Sequence, residues 1–143
     1  MNRKLIIATA VGSLAFALQA TGADFKKDVL PMLEEKCMQC HRSPYKTATG
    51  RTKKPKGGLN LSTPDGFKEG GDSGDAVVAK DVSKSLVYER VTLDKDHDDF
   101  MPPEGKADPL TDAELKALKE WIEGGADLGD WKGTEFDADG NKK

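Results

Sequence analysis

The two cysteines are the feature that most restricts what this 143-residue chain can fold into. Cys37 and Cys40 are separated by two residues and His41 follows directly, which gives the C-x-x-C-H pattern of c-type haem attachment. Each thiol adds to one vinyl group of the haem, so two sulfurs one helical turn apart reach the same porphyrin edge, and the histidine beside them is placed to bind the iron. The pattern therefore predicts one covalent haem c, attached at Cys37 and Cys40, with His41 as an axial ligand.

Other uses of paired cysteines fit the sequence less well. A disulfide of the thioredoxin type would need a βαβ context, and no strand is expected before Cys37. A zinc site would need four ligands, whereas the two cysteines and the adjacent histidine supply three. A haem-free thiol–disulfide protein is therefore the weakest hypothesis.

The opposite face of the iron needs a ligand from another part of the chain. Met101 lies 60 residues past His41 and is followed by Pro102 and Pro103. Two prolines cannot join a helix or a sheet ladder, so they predict a stiff, extended loop that suits a weak thioether ligand. His97, in a stretch rich in acidic residues that is expected to be solvated, is the alternative ligand. Met101 is the predicted sixth ligand.

The N-terminus carries the one segment apolar enough to suggest a membrane span. Arg3 and Lys4 give a positive start, residues 5–18 are mostly apolar, and small residues end at Ala23. This order is typical of a secretory signal peptide cleaved after Ala23, with a retained membrane anchor as the alternative. The sequence thus predicts an exported, periplasmic protein with no membrane span after removal of residues 1–23.

Helical patterns dominate the remainder. In residues 24–40 apolar side chains recur at every fourth position, and Pro31 can be tolerated in the first turn of a helix. Thr63 and Thr111 are placed to cap further helices, and Glu114 completes a capping box with Thr111. No stretch alternates long enough for a confident strand. The predicted fold class is all-α, a small bundle of short helices around one covalently bound haem.

Several segments occur in the order of a known group. They are residues 25–40 with the haem motif, Gly57-Gly58-Leu59-Asn60-Leu61, Ser85-Leu86-Val87-Tyr88, Met101-Pro102-Pro103 and residues 110–126. Over residues 24–128 the chain resembles monohaem c-type cytochromes of the planctomycete type, a branch of the class I cytochrome c fold. That resemblance implies thioether bonds at Cys37 and Cys40 and axial ligation of the iron by His41 and Met101.

The same resemblance implies that Leu59 and Leu61 line the haem pocket. It leaves open which backbone carbonyl accepts the proton on the far nitrogen of His41, because the loop after the motif is long and basic. Pro44 and Pro55 are the two candidates. The domain is expected to span residues 24–128, and residues 129–143 are expected to form a polar, flexible tail.

Charge is distributed unevenly along the chain. The net charge is −3, from 22 basic and 25 acidic residues, which argues against a general nucleic-acid binder. Basic residues nevertheless gather between the haem motif and residue 57. We expect Lys53, Lys54 and Lys56 to steer docking to an acidic redox partner near the haem edge.

These features predict an electron-transport protein. Methionine and histidine together fill both axial positions of the iron, and methionine ligation raises the reduction potential. No catalytic base or substrate-binding constellation is visible, so an enzyme is not expected. The alternatives are a haem-bearing subunit of a larger periplasmic dehydrogenase, and a haem sensor or enzyme with an open iron site.

Overall fold

The computed structural model describes residues 22–143. Residues 1–21, which contain nearly all of the predicted signal peptide, lie outside the described residues. Within the described part of the chain, no helix is both long and apolar enough to cross a membrane.

The first described element is a helical pair that leads into the cysteine motif. A wide π-helical turn, Phe25–Val29, begins after Asp24, whose side chain accepts a hydrogen bond from the Lys27 N–H. It runs directly into helix α1, Leu30–Lys36, with Pro31 in the first turn. A proline is tolerated there because its missing N–H would have no partner within the helix. A helix is found in this region, as predicted, but it ends at Lys36 and does not continue to residue 40.

Three further α-helices follow in the described residues, and side-chain caps mark where two of them begin. Helix α2 is Pro64–Glu69, capped by the Thr63 side chain, which accepts from the Gly66 N–H. Helix α3 is Leu86–Thr92 and follows a 3₁₀ turn at Val82–Lys84. Helix α4 is Asp112–Glu123 and begins with the capping box predicted for Thr111 and Glu114. The two threonine caps are therefore confirmed.

The all-α prediction is wrong. Strands β1, Tyr45–Lys46, and β2, Thr52–Lys53, pair antiparallel, with Tyr45 opposite Lys53. Only 35% of the described residues are helical, so the fold is a small mixed one with long irregular connections. Each strand has two residues, which is too short for an alternating pattern to be visible in the sequence.

An aromatic cluster joins the two ends of the domain. The ring of Phe25 lies 5.3 Å from that of Trp121 on α4 and 5.1 Å from that of Trp131. Phe67 on α2 packs edge-on against both tryptophans, at 6.0 and 5.9 Å. Such clusters dominate the energetics of small cores. The N-terminal segment and α4 are thus held together on the side of the domain that α2 covers.

Several residues of the C-terminal segment 129–143 pack against the domain. Trp131 and Thr134 are buried, and the Thr134 N–H donates to the Ser62 carbonyl at 2.9 Å. Phe136 is half-buried against the core, and its backbone pairs with Lys142 in a short hairpin. The polar composition of residues 129–143 conceals these few apolar anchors, which is why the segment reads as a loose tail in the sequence.

Candidate functional site

The cysteine motif forms a single helical turn after α1. The Cys37 N–H donates to the Leu33 carbonyl at 3.0 Å, and the His41 N–H donates to the Cys37 carbonyl at 3.0 Å. This geometry keeps Cys37, Cys40 and His41 on one turn of backbone. Both cysteines are half-buried free thiols. Desolvation by burial raises the pKa of the Cys37 thiol to about 12, so this sulfur stays protonated at neutral pH.

The imidazole of His41 is oriented by the backbone of the returning chain. Its Nδ1 lies 3.0 Å from the Lys56 carbonyl oxygen. A carbonyl can only accept, so Nδ1 carries the proton and Nε2 is left with its lone pair. Burial lowers the pKa of His41, although hydrogen bonds to the Lys56 and Leu59 backbone oppose that shift. The ring is therefore a neutral imidazole with one free nitrogen, the form that binds metals.

The carbonyl that accepts the proton of His41 Nδ1 belongs to Lys56, and not to either of the two residues expected from the sequence. Pro44 and Pro55 were the candidates, but the structure pairs His41 Nδ1 with the carbonyl of Lys56. The reason is that the chain after the hairpin runs back along the motif. The Lys56 N–H donates to the Cys40 carbonyl at 3.0 Å, and the Leu61 N–H donates to the His41 carbonyl at 2.9 Å. These bonds fix residues 56–61 beside the motif and place Leu59 and Leu61 with it.

Met101 is held by helix α3. Its N–H donates to the Arg90 carbonyl at 3.0 Å, and the Arg90 guanidinium pairs with the Asp99 carboxylate. Arg90 thus fixes the loop both at Met101 and two residues before it. Pro102 is buried directly after Met101. The alternative ligand, His97, is exposed, and its Nδ1 accepts from the Asp99 N–H at 3.0 Å.

All the predicted site residues line one cavity of about 290 Å³. The turn after α1, the returning chain, the loop after α3 and α3 itself supply its walls. Its lining includes Cys37, Cys40, His41, Leu59, Leu61, Met101, Ala76, Leu86, Val87, Val91, Pro102 and Pro103. His97 is not part of that lining. The structure therefore brings together residues that are up to 64 positions apart in the sequence.

The chemistry of this lining fits a haem. Two thiols are free, a neutral imidazole and a thioether share the cavity, and most of the remaining surface is aliphatic. The lining also contains cations, Lys36, Lys56, Arg90 and Lys106, and no acidic side chain. A planar apolar group that bears carboxylates suits such a wall. Sequence reasoning missed Arg90 and Lys106, because no local pattern distinguishes them from other surface cations.

Comparison with known proteins agrees with this chemistry. Residues 37–105 match the family model described as Planctomycete cytochrome C. No curated protein and no solved structure matches the chain. The matched segment begins at Cys37 and includes His41 and Met101. A cytochrome c domain implies haem binding and a role in electron transfer. Over residues 37–105 the chain is therefore similar to planctomycete cytochromes c, in agreement with the resemblance in its sequence.

Proposed function

We propose that this chain is an exported monohaem cytochrome that passes single electrons between partner proteins. Cys37 and Cys40 would hold the haem through thioether bonds, and His41 and Met101 would bind its iron. The observation that carries this proposal is the single cavity in which all four side chains meet. When bound, a c-type haem supplies a one-electron Fe(III)/Fe(II) couple.

The chain's own residues account for the other requirements of a carrier. The Lys56 carbonyl holds His41 in the tautomer that presents Nε2, and the Arg90 carbonyl fixes the loop of Met101. If both His41 and Met101 bind the iron, a haem held in this way would favour outer-sphere electron transfer over chemistry on a bound substrate. Most of the lining is aliphatic, and such surroundings would favour the reduced, less charged state of a bound haem iron.

A pair of matched variants tests the axial assignment. In Met101→Leu the thioether is lost while volume is conserved, and Met32→Leu makes the same change in a methionine that is buried outside the cavity lining. We expect Met101→Leu to lose the absorption band of iron–thioether bonding and to bind carbon monoxide rapidly when reduced. Met32→Leu should keep the band. An unchanged spectrum in Met101→Leu would remove this residue from the iron, and rapid carbon monoxide binding by the wild type would favour an open-site sensor or enzyme.

The strands β1 and β2, with the residues that follow them up to Lys56, form a basic hairpin. This hairpin supports a second part of the proposal, the docking of an acidic partner. Lys53 and Lys54 are exposed, and Lys56 lies on the cavity lining, so this charge is next to the site. Among the described residues, none of the three forms an ion pair. A cluster of charges of one sign beside a redox site raises the rate at which an oppositely charged partner encounters that site.

Small redox reagents of opposite charge can test this steering. In Lys53→Glu/Lys54→Glu we expect slower oxidation by the ferricyanide anion and faster oxidation by a cationic cobalt complex, with both differences fading at high salt. Lys116→Glu/Lys119→Glu, which makes the same change of charge with two exposed lysines of α4 away from the cavity lining, is the control. Equal effects of the hairpin and α4 variants would contradict docking at the hairpin.

The export proposal rests on the N-terminal sequence. A positive start, an apolar stretch and a small-residue end precede residue 24. Intact-mass measurement of the matured protein should show a chain beginning at Asp24. A mass that retains residues 1–23 would contradict cleavage and favour a membrane anchor.

A further inference from the structure

Arg42, the residue after His41, is a buried cation that the site described above does not use. The residue is only 6% exposed to solvent. Within the described part of the chain, its Nε and Nη1 have no hydrogen-bond partner. The guanidinium instead lies over the Tyr45 ring at 3.9 Å and near the Phe136 ring at 5.1 Å. Aromatic faces stabilise a cation without neutralising its charge.

The carboxylates nearby are engaged elsewhere or exposed. Glu34 borders the same cleft, but its oxygens accept from the Thr134 hydroxyl at 2.8 Å and from Lys142 Nζ at 2.6 Å. Glu35 and Asp139 also border the cleft and are exposed, so water and salt screen their charges. The positive charge of Arg42 is thus buried and uncompensated, which is uncommon because a buried charge is costly unless it is paired.

We propose that Arg42 raises the reduction potential of the haem that His41 would bind. Consecutive Cα atoms lie about 3.8 Å apart, so the backbone of Arg42 is adjacent to that of the proposed iron ligand, while its side chain borders the neighbouring cleft and not the cavity itself. Reduction lowers the positive charge at the iron by one, and a fixed cation in a medium of low dielectric favours the less positive state. The inference rests on the proposed function, since it assigns a residue that tunes the same site.

Two substitutions separate the charge of Arg42 from its packing. Arg42→Met keeps an apolar stem and removes the charge together with the unpaired donors, so the fold should be as stable as the wild type or more so. Arg42→Lys keeps a charge but loses the planar stack between the two rings, so stability should fall. We therefore expect the reduction potential to drop in Arg42→Met and to stay near that of the wild type in Arg42→Lys. Stability should change in the opposite order, with Arg42→Lys the less stable of the two variants.

The measurement is the reduction potential of the purified, haem-loaded protein at about pH 6, where a buried lysine keeps its proton more readily. Arg51→Gln, which replaces an exposed cation in the hairpin that follows Arg42, is the control. The small shift in reduction potential caused by Arg51→Gln should vanish at high salt, whereas the shift caused by Arg42→Met should persist. Should Arg42→Met lose haem, Arg42→Gln provides a second neutral variant.

The outcomes distinguish this inference from the proposed function. If the wild type carries no covalent haem, the proposed function fails. If the wild type has a normal c-type spectrum and the neutral variants keep its potential, only the role of Arg42 is overturned. An equal drop in Arg42→Lys and Arg42→Met would also overturn it, because packing would then explain the shift.

Discussion

Replacing Glu114 by glutamine tests the contact that joins the start of α4 to the turn of the cysteine motif. Glu114 Oε2 accepts from Lys36 Nζ at 2.7 Å, from the Thr111 N–H at 2.7 Å and from the Thr111 hydroxyl at 2.9 Å. The side chains of Lys36 and Glu114 are only 9% and 23% exposed. Lys36 precedes Cys37 and lines the cavity, so this contact ties the motif to α4.

The expected loss of stability follows from the contacts that depend on the negative charge of the Glu114 carboxylate. Hydrogen bonds to a charged group contribute about 1.5–3 kcal/mol, and an N-cap contact contributes about 1 kcal/mol. Glutamine keeps the shape and part of the cap but leaves Lys36 without its counter-ion. We expect Glu114→Gln to lower the free energy of unfolding by about 2 kcal/mol, equivalent to roughly 8 °C in Tm for a domain of this size.

The pH dependence of that loss is also defined. Partial burial raises the pKa of Glu114, but the donors on Lys36 and Thr111 outweigh it and hold the pKa below its ordinary value of 4.5. A carboxylate of this kind stabilises the fold fully above its unfolded-state pKa, and the contribution is lost as the pH falls through the folded-state pKa. The difference between wild type and Glu114→Gln should therefore be constant near neutrality and shrink below about pH 4.5.

Urea unfolding of the haem-loaded protein at several pH values measures this effect. Glu120→Gln is the matched control, because Glu120 lies on the same helix in an exposed ion pair, 3.8 Å from Lys116 Nζ. Its effect should stay within about 0.5 kcal/mol. Equal losses in the two variants, or a loss in Glu114→Gln that persists in acid, would refute the assigned role of Glu114.

Three further changes probe other contacts. Trp131→Ala should cost about 3–5 kcal/mol in urea unfolding, and a loss below about 1 kcal/mol would mean that the tail does not pack. Gly66→Ala would drive a Cβ into the Asn60 carbonyl oxygen, so the free energy of unfolding should fall by about 1–3 kcal/mol. An unchanged unfolding midpoint would contradict this close approach. Asp99→Asn removes the partner of Arg90, so the iron–thioether band should disappear at a lower temperature than in the wild type; equal temperatures would contradict this role of the ion pair.

Local chemistry made part of this structure predictable. The caps at Thr63 and Thr111 are set by side chains that reach N–H groups three residues away, and such short-range contacts leave a readable pattern. The cysteine motif is equally local, since its spacing corresponds to one turn of backbone. The helices that begin after the two caps could therefore be found from the sequence, and Cys37, Cys40 and His41 could be named as candidate site residues.

Contacts between distant segments account for what the sequence did not reveal. The Lys56 carbonyl reaches His41 because a short hairpin returns the chain, and two-residue strands carry no alternation to predict it. Trp131 anchors a segment whose composition is otherwise polar. Arg42 is covered by two aromatic rings, and one of them belongs to a residue 94 positions further along the chain. Because nothing near Arg42 in the sequence indicates this contact, a charged residue in a basic loop is expected to be solvated.

The mass of the naturally matured protein tests the central claim most directly. If Cys37 and Cys40 are thioether-linked, the denatured and unfolded polypeptide should keep its colour and weigh one haem more than its amino acids, with both thiols unavailable to alkylation. A colourless protein with the mass of the polypeptide alone and two thiols open to alkylation would contradict the account.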